Sequence, residues 1–339
     1  MDFKALMHTP EYDFLRTNPR LGSRIMLLGV SGSYGYGTNR EDSDVDFRGV
    51  TLNMPSDLIG LMGFDQYEDA ATDTVIYGFN KLISLLLNCN PNTIEILGLD
   101  EDQYLIKSDL GQELLDHRGL FLSKRAAESF GHYADAQLRR LQNAIARDTL
   151  SQSDREQHIL KSVQHAMDDF NRRHGEWDKG RAVLYIDKAE TEGLETEIFL
   201  DASFQHYPLR NYKDMMNTLN CVVRDYNKIG KRNHKKDDNH LNKHAMHLVR
   251  LFMMGIDILG KAEIRTHRLP EDLRLLNSIR NGDYMKDGAL IPQFYEIVAD
   301  YEKKFEETEK NSTLPDNPDM DQVEAFVERI NRHVVMEDF

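Results

Sequence analysis

The chain has 339 residues, 42 Lys and Arg against 57 Asp and Glu, a net charge of −15, and 40% hydrophobic side chains, a globular composition long enough for about two domains with self-sufficient cores. Its two cysteines, Cys89 and Cys221, lack CxxC or Cys/His ligand spacing, which excludes a disulfide framework or zinc ribbon, and the acidic balance excludes a protein that coats nucleic acid through bulk charge. The longest apolar stretch, Leu82 to Ile94, has 13 residues, short of the ~20 that span a bilayer, so no membrane partner is expected.

In chain order, Met1-Asp2-Phe3-Lys4 carries mixed charge without an apolar run, so no secretory signal and a cytoplasmic location are expected. Arg24 to Val30 is apolar and ends at Ser31-Gly32-Ser33-Tyr34-Gly35-Tyr36-Gly37, a pattern that predicts a buried strand feeding a Gly-rich turn. Ser43 to Val50 alternates carboxylate with apolar residue; as a strand it puts Asp44 and Asp46 on one face and Val45 and Phe47 on the other. Thr72 to Tyr77 is β-branched and aromatic, a third strand with Asp73 near its start. From Asn80 the period becomes helical, with a stripe of Leu82, Ile83, Leu85 and Leu86 that stops at Asn90-Pro91 before a short helix bearing Glu95.

Past Phe121 the pattern is almost wholly helical, over Ser123 to Ala146, Asp154 to Arg173, Tyr212 to Lys228, Leu241 to Leu259 and Leu290 to Glu309. A weak β-like patch, Arg181 to Phe204, and a charged loop, Gly230 to Asn239, interrupt it. Asp300 to Phe339 holds twelve acidic and five basic residues, which reads as a solvated helical face. The expected fold class is α+β, a small mixed-sheet domain over residues 1–115 followed by a mainly helical domain over 116–339.

The chemistry concentrates in Gly32-Ser33, in Asp44 eleven residues after Ser33, in Asp46, and in Asp73 on a neighbouring strand. Carboxylates crowded on one sheet face repel unless cations sit among them, and hard oxygen ligands suit Mg²⁺ shared with substrate phosphates. Without a Cβ at Gly32 the backbone approaches phosphate closely, and the Ser33 hydroxyl and loop amides donate to it. Asp65, Glu68 and Asp69 compete with Asp73 but fall in a turn-like acidic segment. The bland alternative is a flexible Gly-rich turn beside a solvated strand face.

A second constellation, His240, Lys243, His247 and Arg250, shares one helix face and makes either a cationic triphosphate clamp or a solvated basic face. Zinc through His240, His244 and His247 is the weakest reading, since no fourth ligand accompanies them. The densest positive segment runs from Lys228 to Lys236, with Lys231, Arg232, Lys235 and Lys236, and is either a steering surface for an RNA end or a plain surface loop. Tyr133, one helical turn from Gln137, reads as a packing tyrosine before a base-stacking one. Trp177 lies in a polar segment with no functional argument attached, and Lys81 and Glu95 flank the candidate site in sequence.

A Gly-Ser turn after an apolar strand, an Asp-x-Asp beyond it and a later Asp resemble the DNA polymerase β-like nucleotidyltransferase superfamily. Asn80-Lys81-Leu82, Asn90-Pro91-Asn92 with Glu95-Ile96-Leu97, Phe121-Leu122-Ser123-Lys124, Lys243 to Leu251, and Ile279-Arg280-Asn281-Gly282 extend the resemblance to the nucleotidyltransferases associated with RNA ligase and RNA repair. The resemblance covers most of residues 22–285 and says nothing of the tail after Asp300.

It implies that Asp44 and Asp46 hold two Mg²⁺ ions, with Mn²⁺ as a substitute, and that Asp73 completes one ion and acts as general base. It implies that Gly32 and Ser33 bind the phosphates of an NTP, to which the cationic face of Lys243, His247 and Arg250 would add its clamp, and that a nucleoside monophosphate passes to a hydroxyl with release of pyrophosphate, an RNA 3′ end being the favoured acceptor on the resemblance and the basic loop together. The alternatives are nucleotidylation of a protein or small molecule, and a non-catalytic nucleotide-binding or toxin-neutralising protein on the same fold. The oligomeric state is left open.

Overall fold

The structure, a computed structural model, describes residues 2–41, 43–61, 63–149, 152–190, 196–226 and 238–337. The segment from Lys231 to Lys236 lies outside the described residues, as does the side chain of His240. The chain divides into two compact units, one of residues 1–138, 243–284 and 292–339, the other of residues 139–242 and 285–291.

The first unit is built on a five-stranded mixed sheet in the order β3-β4-β2-β1-β5, where β1 is Ile25–Val30, β2 Phe47–Thr51, β3 Gln66–Asp69, β4 Thr74–Gly78 and β5 Tyr104–Lys107. All six residues of β1 are buried, as expected of an apolar run flanked by strands on both sides. β1 is antiparallel to β2 and β5, β4 runs parallel to β2, and β3 closes the edge antiparallel to β4. Tyr12, Leu15 and Leu21 cluster with Ile25, Leu28, Val30, Phe47 and Ile76 of the sheet to form a core.

Besides four short helices, Phe3–Leu6, Phe14–Thr17, Pro55–Ile59 and Pro91–Ile94, the described residues form α1 (Gly32–Tyr36), α2 (Phe79–Leu86), α3 (Asp109–Asp116), α4 (Arg125–Thr149), α5 (Gln152–His174), α6 (Tyr212–Tyr226), α7 (Asp238–Lys261), α8 (Pro270–Asn281), α9 (Pro292–Asn311) and α10 (Met320–Glu337). The fold is α+β, as the sequence leads one to expect. α2 buries Leu82, Ile83 and Leu86 of the stripe read from its spacing, together with Phe79, while Leu85 is half-buried.

The acidic tail does more than expose charge. α9 buries Phe294, Val298 and Phe305, and α10 buries Val323, Phe326, Ile330 and Val334, with the Phe326 ring against Phe79, Phe121 and His117. In the second unit, the β-like patch is a hairpin of β7 (Gly180–Lys188) and β8 (Thr196–Ser203) beside the short β6 (Glu176–Trp177). Ala182 and Leu184 of the hairpin pack with Val163, Met167, Phe170, Met215 and Val222. Trp177 is structural there, its Nε1 donating to the Gln205 carbonyl at 2.9 Å and its ring 4.6 Å from that of Tyr207. Among the described residues no helix is long and apolar enough to cross a membrane.

Two expectations about the strands change. β2 begins at Phe47, so Asp44 and Asp46 precede the strand, and β4 begins at Thr74, so Asp73 belongs to the turn that enters it. The apolar alternation that suggested longer strands continues past the last ladder pair, where the chain turns toward the sheet end.

Candidate active site

Register brings the candidate residues together. Val30 pairs with Phe47 across the antiparallel ladder, and Phe47 pairs with Thr74 across the parallel one, so the residues one step beyond, Ser31, Asp46 and Asp73, meet at one end of the sheet. The Ser31 amide donates to the Asp46 carbonyl at 2.8 Å, which extends the ladder by one bond.

Gly32 follows with φ +58°, and a Cβ on it would lie 1.7 Å from Asp46 Oδ2. The glycine is therefore required twice, by its left-handed backbone and by the carboxylate that occupies the space a side chain would take. The close approach expected of Gly32 toward phosphate is, in the structure, an approach to Asp46. Ser33 is half-buried in the first turn of the five-residue α1, and its carbonyl accepts from the Thr38 amide at 2.9 Å.

Asp73 has φ +45°, a conformation Asp tolerates better than most residues. The turn that holds it is tied by Asp69, whose Oδ2 accepts from the Thr72 amide at 2.9 Å and the Thr72 hydroxyl at 2.8 Å. Arg48, on β2, donates from Nη2 to Asp73 Oδ1 at 2.9 Å and from Nη1 to the Asp73 carbonyl. Thus Asp69 anchors the turn, while Asp65 takes Lys81 Nζ at 2.9 Å and Glu68 accepts from Gln66. Each of the three rival carboxylates has its own partner.

The carboxyl groups of Asp46 and Asp73 are hydrogen-bonded to each other. Burial, then the hydrogen bond to Asp73 and its charge, pushes Asp46 up to about 7, against the opposing charges of Arg48 and Lys243. Asp73 moves the other way: the hydrogen bond from Asp46 and the charge of Arg48 hold it below the usual carboxylate value. The pair therefore behaves as two acids sharing one proton. A divalent cation replaces that proton without leaving two adjacent negative charges, so this donor set fits a hard cation such as Mg²⁺.

Asp44 is exposed and lies two residues before Asp46 on the approach to β2. No group of three or more His, Cys, Asp or Glu side chains placed to hold a metal ion occurs among the described residues. What the structure brings together is the pair Asp46 and Asp73, with Gly32 and Arg48.

The three α7 residues have different surroundings. Lys243 is exposed and close enough that its charge favours the ionised forms of both Asp46 and Asp73. Arg250 is only 9% exposed; its Cζ lies 3.5 Å from the centroid of the Tyr36 ring and its Nη2 is 2.9 Å from His247 Nε2. Glu95, 8% exposed, accepts from the Ser31 hydroxyl at 2.6 Å through Oε1 and from the Tyr36 hydroxyl through Oε2. Tyr133 is half-buried and accepts from Asn90 Nδ2 at 3.2 Å, the packing arrangement.

Arg48 and Tyr36 escape sequence reading. Arg48 had a signal, since it follows Asp46 by two residues and so shares its side of the chain. Tyr36 is an aromatic in a run of small residues, and only the fold reveals that its ring meets an arginine 214 positions later.

Comparison with known proteins bears on the same segment. Residues 7–167 match the model of RlaP, the RNA repair pathway DNA polymerase beta family, and the sheet and its carboxylates lie within that matched segment. The match supports a polymerase β-like nucleotidyltransferase connected with RNA repair. Searches of curated proteins and of solved structures find no match.

Proposed function

We propose that this chain, whose residues 7–167 match the model of an RNA-repair polymerase β family, is a Mg²⁺-dependent enzyme that moves a nucleoside monophosphate from an NTP to the 3′ hydroxyl of an RNA. The observation that carries the reading is the Asp46/Asp73 pair, hydrogen-bonded at the sheet end against a glycine that leaves room for nothing else. A protein that only bound a nucleotide would have no use for two carboxylates in mutual conflict.

In this reading Asp46 and Asp73, joined by Asp44 once substrate is present, would hold Mg²⁺, which when bound neutralises phosphate charge and acidifies the attacking hydroxyl. Arg48 holds Asp73 by carboxylate and carbonyl together, so the Asp73 oxygens keep their direction as the proton between the pair departs. Lys243 supplies the positive charge that favours the doubly ionised pair and then meets the β- and γ-phosphates. Ser33 and its neighbouring amides donate to the same phosphates. The acceptor oxygen forms a bond to the α-phosphorus, the α–β phosphoanhydride bond breaks, pyrophosphate leaves, and the hydroxyl proton passes to the carboxylate pair.

The RNA acceptor rests on the family and on the basic run Lys231, Arg232, Lys235 and Lys236. Neutralising those four is expected to weaken RNA binding and flatten its salt dependence, because each lost phosphate contact removes released counterions. NTP affinity should stay the same; equal loss of both would assign the run to the triphosphate instead. The metal and nucleotide part is tested by calorimetric titration of a non-hydrolysable NTP with and without Mg²⁺. Binding that needs Mg²⁺ and disappears in Asp46→Asn supports the reading, and binding indifferent to both contradicts it.

A further inference from the structure

Behind the Gly-rich turn lies a group of buried polar side chains that the transfer chemistry does not use. Ser31 immediately precedes α1 and Tyr36 is its last residue. Both hydroxyls donate to the same carboxylate, Ser31 to Glu95 Oε1 at 2.6 Å and Tyr36 to Oε2. One buried glutamate thus clamps both ends of the turn that contains Gly32 and Ser33.

Glu95 is fixed in its own backbone, since the Thr266 hydroxyl donates to its carbonyl at 2.7 Å. Tyr36 in turn is covered by α7: the Arg250 guanidinium lies over its ring at 3.5 Å and Met254 Sδ is 3.1 Å from its hydroxyl. Tyr36 therefore contacts an anion through its hydroxyl and a cation through its ring face. Arg250 Nε is buried without a hydrogen-bond partner, so the ring contact and the His247 bond are what hold the guanidinium.

Arg250 follows Lys243 by seven residues, two turns of α7, so the two project from one side of the helix. A helix keyed to the turn through Arg250 has its Lys243 position set relative to Gly32 and Ser33. Buried charges that served stability alone would be replaced without loss by apolar side chains of similar volume. Their placement at the two ends of the phosphate-side turn argues for geometry.

We propose that Glu95, Tyr36 and Arg250 form a positioning network that holds the Gly32–Ser33 turn in register with Lys243 on α7, so that the triphosphate is gripped by both at once. Glu95 and Arg250 are then positioning residues, and Arg250 acts on the nucleotide only through Tyr36. The nucleotide part of this proposal rests on the nucleotidyltransferase reading above; the coupling of turn to helix does not.

The test uses Ser31→Ala and Tyr36→Phe, each of which removes one hydroxyl from Glu95, with Ser31→Thr as the variant that restores it. Hydrogen exchange of the full chain is followed by mass spectrometry, and the affinities for Mg²⁺ alone and for a non-hydrolysable NTP with Mg²⁺ are measured alongside. Exchange over residues 31–37 is expected to rise about tenfold in Ser31→Ala and Tyr36→Phe with β1 unchanged, and to return to the wild-type rate in Ser31→Thr. Affinity for the analogue should fall about tenfold while that for Mg²⁺ alone holds. Exchange unchanged in residues 31–37, or raised equally throughout the first unit, overturns the network. A wild-type chain that binds no analogue would sink the nucleotidyltransferase reading instead, and the exchange arm would still decide the coupling.

Discussion

Asp46 shows how a single side chain reports on the site. Its carboxyl is pushed from 3.8 up to about 7 by burial and by Asp73, so between about pH 4 and 7 the folded pair keeps a proton that the unfolded chain has released. The folded state then binds more protons than the unfolded, and stability falls as pH rises through that window. Urea unfolding at pH 5 and pH 7.5 should show the drop; Asp46→Asn should abolish the slope, and Mg²⁺ should restore stability at pH 7.5 in the wild type alone. Gly32 provides a second test at the same scale. Gly32→Ala places a methyl 1.7 Å from Asp46 Oδ2 at φ +58°, and is expected to cost about 1 kcal/mol or more and to remove the Mg²⁺ response. Gly131→Ala, in α4 with nothing within 4 Å of the new Cβ, should stabilise by about 0.5–1 kcal/mol, so thermal unfolding of the two variants separates site from scaffold.

At the scale of elements, strands whose side chains are buried were legible and strands defined by pairing alone were not. β1 announces itself by six apolar residues, whereas β3, Gln66–Asp69, is a polar edge strand whose membership depends on its bonds to β4. The same distinction explains Asp73. Its type and rough place could be read, but its position depends on a turn tied by Asp69 and on an arginine from the adjacent strand. Asp69→Ala removes both bonds to Thr72 and should lower the affinity for Mg²⁺ severalfold, at a cost of roughly 1–2 kcal/mol in stability. Unaltered Mg²⁺ affinity with the turn released would show that Asp73 is not a ligand. The helix face of Lys243, His247 and Arg250 was visible from its spacing, but not its division between an exposed lysine and an arginine seated on Tyr36, because that depends on a residue remote in the chain.

For the molecule as a whole, α10 was the least legible helix, since its charge masks an apolar stripe, whereas α9 was visible in the spacing from Leu290 to Glu309. Phe326 of α10 is 4% exposed and packs against Phe79 at the start of α2, in the same unit as the carboxylate pair. Phe326→Ala should destabilise by roughly 3–5 kcal/mol in chemical denaturation, while removal of exposed charge at Glu324 or Asp321 should change stability by less than about 0.5 kcal/mol. The core of the first unit, its sheet and its tail together thus support the two carboxylates on which the functional reading depends. The most direct measurement is incubation of the full chain with α-labelled NTPs, Mg²⁺ and an RNA with a free 3′ hydroxyl, wild type beside Asp46→Asn and Asp73→Asn. Label joined to the RNA with pyrophosphate released, and absent in both variants and with a 3′-blocked RNA, is the predicted result; no transfer to RNA, or transfer that survives both substitutions, would contradict it.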